Sequence, residues 1–109
     1  MVPPAIGDVV LVPFPFSDLS QSKQRPAVVL ASADRGDWVL CQVTSNPYGD
    51  SRAVEIDDAD FLKGGLRRIS YVRPAKLFTA HESIFSMVVG LLQPTTFQRL
   101  RTAVLDVFD

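Results

Sequence analysis

Short apolar runs separated by polar turns make up most of the chain. The runs are rich in Val, Leu and Ile and are bounded by Gly, Pro or clusters of polar residues. They are too short for buried helices, so the pattern predicts β-strands. The predicted strands lie at residues 9–14, 26–31, 38–43, 52–56, 69–79 and 83–92.

Prolines and a glycine inside these runs predict irregular strands. Pro13 and Pro15 lack the N–H group that a sheet ladder uses, so the first strand should fray or lie at an edge there. Pro74 predicts a bend, a bulge or an edge, and Gly90 predicts a bulge. Between the later strands, the acidic stretch 57–62 is predicted to form one helical turn with an aspartate as its cap.

One amphipathic helix is predicted at the C-terminal end of the chain. Pro94 suits its first turn, with Gln93 or Thr95 as the cap. Residues at 3-4 spacing form an apolar stripe that should cover an open end or side of the sheet: Phe97, Leu100, Val104, Val107 and Phe108. Five or six short strands followed by one helix favour a mainly β, small barrel-like sheet in a single domain, 1–109.

Composition narrows the class of protein. Apolar residues make up 47% of the chain, charged residues 21%, and the net charge is −1, which is ordinary for a globular domain and argues against strong non-specific DNA binding. The first residues lack the pattern of a signal peptide, and no apolar run is long enough to span a bilayer. Cys41 is alone and lies in an apolar strand, so we expect a buried thiol and a cytoplasmic protein that does not contact membranes.

The residue types exclude several catalytic strategies. The chain has one histidine, one cysteine and none of the usual metal-ligand spacings, so we expect neither a metal nor another cofactor. His81 lies in a predicted turn and is the only histidine available for a serine triad, while a two-histidine ribonuclease mechanism is impossible. Electrostatic catalysis with few titrating groups remains.

The candidate site lies where a polar loop meets an apolar strand. The loop is predicted at 17–24, and Arg25 follows it with its backbone restricted by Pro26. Thr44 ends the next strand and is expected to face the same place. An arginine can bind a phosphate through two hydrogen bonds and stabilise charge in a transition state, and a threonine hydroxyl can donate to the same phosphate. Since RNA supplies its own 2′-OH nucleophile, such a pair permits RNA cleavage, although each residue is also common at strand ends.

An ordered set of motifs along nearly the whole chain resembles the MazF/PemK family of toxin endoribonucleases. The set comprises 7–12, the polar loop, 25–30 and 43–45, then 65–66, 70–72, 76–77 and 90–91 before the helix. The stretch 12–20 resembles a PemK-like subgroup in particular. No single motif is decisive, and the specificity lies in their order.

The resemblance implies a fold, an activity and partners. The fold would be an SH3-like barrel of five to six strands with a C-terminal helix, of the CcdB/MazF/PemK type. The protein would be a homodimeric toxin that cleaves single-stranded RNA without a metal, leaves 2′,3′-cyclic phosphate and 5′-OH ends, and is inhibited by a cognate antitoxin. The family's catalytic arginine and threonine fall on Arg25 and Thr44. Further RNA contacts are predicted at Lys23, Gln24, Gln42, Ser45, Arg73 and Lys76.

One departure from the family pattern keeps other functions open. Many members carry an acidic residue in the loop before the arginine, whereas 20–24 contains none and has Lys23 instead. One alternative is a related barrel that binds DNA gyrase without cleaving RNA. Another is a degenerate toxin that binds an antitoxin or RNA without cleavage.

Overall fold

The computed structural model describes residues 3–15 and 22–109, and these form one curled antiparallel sheet with a helix against it. Within this part of the chain the sheet has seven strands in the order β4-β6-β3-β2-β1-β7-β5. The elements are β1 (Asp8–Pro15), β2 (Ser22–Ser32), β3 (Asp37–Thr44), β4 (Val54–Ile56), β5 (Phe61–Gly64), β6 (Ser70–His81), β7 (Met87–Leu92) and α1 (Pro94–Asp106). The predicted mainly β architecture with a C-terminal helix is therefore confirmed.

Both faces of the sheet bury apolar side chains because successive strand residues point to opposite sides. One cluster includes Val9, Val28, Cys41 and Val72, and it is closed by Leu100 of the helix. The opposite face carries a second cluster, made of Val10, Val12, Ala27, Val29 and Leu40. The sequences of the central strands are therefore nearly continuous apolar runs, because residues on both faces of the sheet are buried.

The prolines and the glycine occupy the irregularities that they predict. Opposite β3, the register of β6 shifts between Val72 and Leu77, and Pro74 lies buried in this bulge. In β1 the pairing with β7 stops at Leu11, so the proline-containing end has β2 as its only neighbour in the described sheet. The register between β1 and β7 shifts beside Gly90, which confirms the predicted bulge.

The helix is joined to the sheet through Asp60. A 3-10 turn at Asp58–Asp60 is capped by Asp57, as predicted. Asp60 Oδ1 accepts hydrogen bonds from Thr96 Oγ1 at 2.7 Å and from Arg99 Nη2 at 3.1 Å. Burial by itself raises the pKa of Asp60, but hydrogen bonds from Asp57 and Thr96, with the charge of Arg99, outweigh it and hold that pKa below its ordinary value.

Three sequence predictions about the elements are wrong. Five to six strands were expected, and the additional one is β5, where Gly64 was expected only to end a helical turn. Gly64 instead pairs with Gly90, and an added Cβ would lie against the carbonyl of Val89, so a glycine permits the close approach of these strands. The strand expected at 83–92 begins with a 3-10 turn, so β7 starts only at Met87.

The third correction concerns the polar loop. The strand β2 begins at Ser22, so Lys23 and Gln24 belong to it rather than to the loop predicted at 17–24, and Arg25 lies inside the strand rather than before it. Val12 pairs with Arg25, because β1 extends the ladder past the apolar run. Residues 16–21, which include the rest of that loop, lie outside the described residues.

Three further expectations concern the helix stripe, burial and membranes. Phe108 was expected in the stripe that covers the sheet, but α1 ends at Asp106 and Phe108 is exposed beyond it. Cys41 is fully buried, donates from Sγ to the carbonyl of Arg73 at 2.8 Å, and has its pKa raised to about 12, chiefly by burial. None of the helices in residues 3–15 and 22–109 combines the length and the apolar character that crossing a membrane requires.

Candidate active site

Arg25 lies in the first part of β2, and Thr44 is the last residue of the neighbouring strand β3. The last pair in the ladder between β2 and β3 is Ala27 with Gln42, and Arg25 and Thr44 each lie two residues beyond it. Pro26 has no N–H to continue the ladder, so the strands stop pairing at this point. By the two-residue alternation of strands, Arg25 and Thr44 fall on the same face of the sheet.

The separated strand ends form one wall of a cleft of about 340 Å³. Four cations line it, and no carboxylate is among the lining residues in the described part of the chain. We call it the cationic cleft; it is lined by Lys23, Gln24, Arg25, Pro26, Val43, Thr44, Ser45, Leu66, Arg67, Arg68 and Ser70. Such a surface attracts a polyanion, although the whole chain has a net charge of −1.

Thr44 is nearly buried, and its hydroxyl organises the backbone that follows it. Oγ1 donates to the carbonyl of Asn46 at 3.0 Å and accepts from the N–H of Asn46 at 3.1 Å. These two bonds turn the chain directly after β3. Ser45 is thereby placed at the rim of the cleft, where it is exposed.

The connection after Thr44 is held at its far end by an ion pair. Arg73 Nε donates to Asp50 Oδ2 at 3.0 Å, and Asp50 Oδ1 accepts from the N–H of Arg52 at 2.9 Å. The hydrogen bond from the Arg73 side chain is the largest cause that lowers the pKa of Asp50. Arg73 therefore ties the 45–53 connection to β6.

The predicted site residues divide into two groups. Arg25, Thr44, Lys23, Gln24 and Ser45 line the cationic cleft. The other three do not line it.

These three residues have other surroundings. Arg73 is engaged with Asp50, Lys76 is exposed in the bulge of β6, and Gln42 pairs with Ala27 inside the sheet. Their predicted RNA contacts therefore have no support from the lining of this cleft.

Two further cations line the cleft that were not among the predicted site residues. Arg67 and Arg68 line the cleft together with Leu66 and Ser70. The sequence does carry a signal, because 63–76 holds five basic residues and no acid. Which of these five line the cleft could not be chosen from the sequence, since the choice requires knowing that the segment before β6 folds back towards β2 and β3.

The sequence of residues 5–108 matches the family described as PemK-like, MazF-like toxin of type II toxin-antitoxin system. The chain belongs to this toxin family. The match spans both walls of the cationic cleft and the helix, and no curated protein is similar enough to count as a match.

Solved structures with the same fold come from Mycobacterial species and from Deinococcus radiodurans. An endoribonuclease from Mycobacterial species, in complex with its cognate antitoxin, is 19% identical with a TM-score of 0.74, covering 99% of this chain and 95% of that one. A MazE-MazF complex from Deinococcus radiodurans is 18% identical with a TM-score of 0.77, covering 99% and 97%. Mycobacterium tuberculosis toxin MazF-mt6 is 19% identical with a TM-score of 0.68, covering 92% and 96%. At these identities the similarity establishes the fold.

Proposed function

We propose that this toxin is a metal-independent endoribonuclease that cuts single-stranded RNA in the cationic cleft. The observation that carries the proposal is the meeting of Arg25 and Thr44 with three further cations in one cleft. Its structural relatives are named endoribonucleases, which supports the same reaction class.

Arg25 would stabilise the charge that develops on the scissile phosphate. It is partly exposed on β2, and its guanidinium can offer two parallel N–H donors to phosphate oxygens. Charge stabilisation of this kind depends on donors that are held in place before the reaction. The paired backbone of β1 and β2 at Val12 and Arg25 supplies that rigidity.

Thr44 would orient the phosphate and hold the rim of the cleft. Its proton is donated to the carbonyl of Asn46, so contact with a phosphate requires the hydroxyl to rotate away from that acceptor. The N–H of Asn46 can keep its bond to Oγ1 during this exchange. Thr44 thus couples substrate binding to the position of Ser45 and the turn beyond it.

The proposed reaction needs no protein nucleophile. The 2′-oxygen of the RNA forms a bond to phosphorus, the bond from phosphorus to the 5′-oxygen breaks, and a 2′,3′-cyclic phosphate and a 5′-OH result. The 2′-OH proton passes to solvent, and the leaving oxygen gains a proton from Arg25 or water. The cations that line the cleft would stabilise the negative charge that builds up on the phosphate oxygens.

We also propose the partners that the family implies. These are a cognate antitoxin, which would cover the cationic cleft and block RNA, and a second copy of the chain in a cytoplasmic homodimer. The relatives solved as complexes with an antitoxin support the first of these.

The test is a cleavage assay on a long single-stranded RNA in excess EDTA. Wild type should make discrete cuts with 5′-OH ends, and Arg25→Ala should make none while keeping its thermal stability. Arg35→Asn is the matched control, since Arg35 is an exposed cation with φ 59° at the opposite ends of β2 and β3. Failure of the folded wild type to cut several RNAs would contradict the proposal and lead to gyrase inhibition as the next assay.

A further inference from the structure

Tyr48 is an exposed aromatic residue on a tight turn beside the cationic cleft. The N–H of Asp50 donates to the carbonyl of Pro47 at 2.9 Å, and the two residues between them have positive φ, 53° for Tyr48 and 75° for Gly49. Positive φ at both central positions is the signature of a type I′ turn. The first central position of such a turn favours Asn, Asp or Gly, and a bulky side chain is disfavoured there.

Packing does not account for the tyrosine. Tyr48 is 70% exposed, so its ring gains little free energy from burial against the protein. A residue with an unfavourable backbone conformation and an exposed side chain is not explained by its contribution to folding. It indicates that the side chain has a functional role, such as binding a ligand. The strained conformation persists because the surrounding connection is held by hydrogen bonds.

Those hydrogen bonds fix the turn at both ends. Thr44 is bonded twice to Asn46, and Asn46 Oδ1 accepts from the N–H of Tyr48 at 3.0 Å. At the other end Asp50 is bonded to Arg73 of β6. The ring is therefore presented on a braced connection, which lowers the entropy cost of using it in binding.

The turn lies within reach of the proposed scissile phosphate. Ser45 lines the cleft, and three residues of chain limit the distance between the Cα atoms of Ser45 and Tyr48 to about 11 Å. A phosphate held by Arg25 and Thr44 would leave the base of a flanking nucleotide unstacked near this turn. Unstacked bases in single-stranded RNA are commonly bound by aromatic side chains.

We propose that Tyr48 is a stacking platform for a base of the single-stranded RNA next to the cleavage site. This inference rests on the proposed function, because it assigns the nucleic acid in the cationic cleft as the ligand. Stacking accepts every base, so Tyr48 would raise affinity and align the strand without selecting a sequence by hydrogen bonds. The cations would hold the backbone, and the ring would hold the base.

The test uses an RNA that cannot be cleaved, with 2′-O-methyl groups throughout and 2-aminopurine placed in turn at each position. Wild type should quench the fluorescence at one position. Tyr48→Asn removes the ring and suits positive φ, so it should fold as well as wild type, lose the quenching, and bind about 5- to 150-fold more weakly. The slope of affinity against salt should not change, because no cation is lost.

Three controls make the result specific. Tyr48→Phe keeps the ring and should bind like wild type, and Tyr48→Gly is a second variant without a ring that tolerates the turn. Phe108→Ala removes an aromatic residue of similar exposure, 73%, beyond the helix, and should leave RNA binding unchanged.

The outcomes separate this inference from the proposed function. Unchanged affinity and quenching in Tyr48→Asn would overturn the stacking role, even if wild type cuts RNA. If the same variant bound a cognate antitoxin more weakly instead, the ring would be a protein contact and the inference would also fall. A third outcome is that wild type binds RNA without cutting it, and that Tyr48→Asn loses the quenching. That outcome would support stacking and contradict the proposed ribonuclease activity.

Discussion

Two regions of the protein, the helix junction around Asp60 and the cationic cleft, use charged residues in opposite ways. At the helix junction, Asp60 gathers the Thr96 hydroxyl and the Arg99 guanidinium, so a carboxylate is surrounded by its donors. In the cationic cleft, Arg67, Arg68 and two further cations converge, and no carboxylate is among the described lining residues. The first arrangement joins two elements, and the second creates a local field that can hold a polyanion.

Structural charges in this fold can therefore be separated from functional ones by the groups around them. The ion pair of Arg73 and Asp50 shows the intermediate case, because it lies near the cleft but binds the connection after Thr44 to β6. Whether a charged residue in this protein has a structural or a functional role is indicated by the groups that surround it. Removing one should reduce stability at the helix junction and RNA binding or cleavage in the cleft.

The largest effect is expected for Arg25. Arg25→Ala should lower the cleavage rate by a factor of at least about 10² to 10³, because one preorganised donor to the transition state is lost. Arg25→Lys keeps the charge without the two parallel donors and should recover part of that rate. Single-turnover cleavage, with unfolding followed by circular dichroism, measures both; a folded Ala variant with full activity would remove Arg25 from the mechanism.

At the helix junction the expected loss is one of stability. Thr96→Val deletes the 2.7 Å hydrogen bond to Asp60 and should lower the free energy of unfolding by about 1–3 kcal/mol, because Thr96 is buried. Urea unfolding measures this change. Thr102→Val, at an exposed helix position, is the matched control. If Thr96→Val reduced cleavage under conditions in which it remains folded, the contrast between the helix junction and the cationic cleft would be wrong.

Smaller effects are expected for Arg67 and Arg68, which line the cleft but were not predicted as site residues from the sequence. Arg67→Ala and Arg68→Ala should each weaken RNA binding several-fold and reduce the slope of log affinity against log salt by about one, or somewhat less for a single strand. Fluorescence anisotropy with uncleavable RNA at several salt concentrations gives both values. Arg101→Ala, an exposed cation on α1, should leave the slope unchanged, and an equal change there would mean that the binding is diffuse.

The smallest effect is the dependence of stability on acid. Asp50 and Asp60 have pKa values below their ordinary 3.8 in the folded protein, so both favour folding above that pH. The contribution is lost as the pH falls below about 4 and through the folded-state pKa values. Urea unfolding from pH 6 to 3 should show this decline, and Asp60→Asn should make it shallower. A decline of the same steepness in that variant would show that other carboxylates cause it.

Much of the architecture could be predicted because local rules govern it. The buried strands, the proline-bearing bulge of β6 and the capped turn before β5 follow from apolar runs and residues with restricted backbones. The strand β5 could not, because Gly64 pairs with Gly90 only through the close approach of β5 and β7. The start of β2 was missed because polar residues such as Lys23 are paired by β1, and strand pairing there does not require an apolar pattern.

The sequence alone predicts six of the seven described strands, the helix and the pair of residues on which the proposed function depends. Arg25 before Pro26 and Thr44 at a strand end are local features, readable from residue types and spacing. The tertiary structure was needed to show which cations of 63–76 line the cleft with this pair, and that the turn after Thr44 carries Tyr48 with positive φ. A cleft forms from segments distant along the chain, and their approach depends on the curl of the sheet and on packing in its two cores.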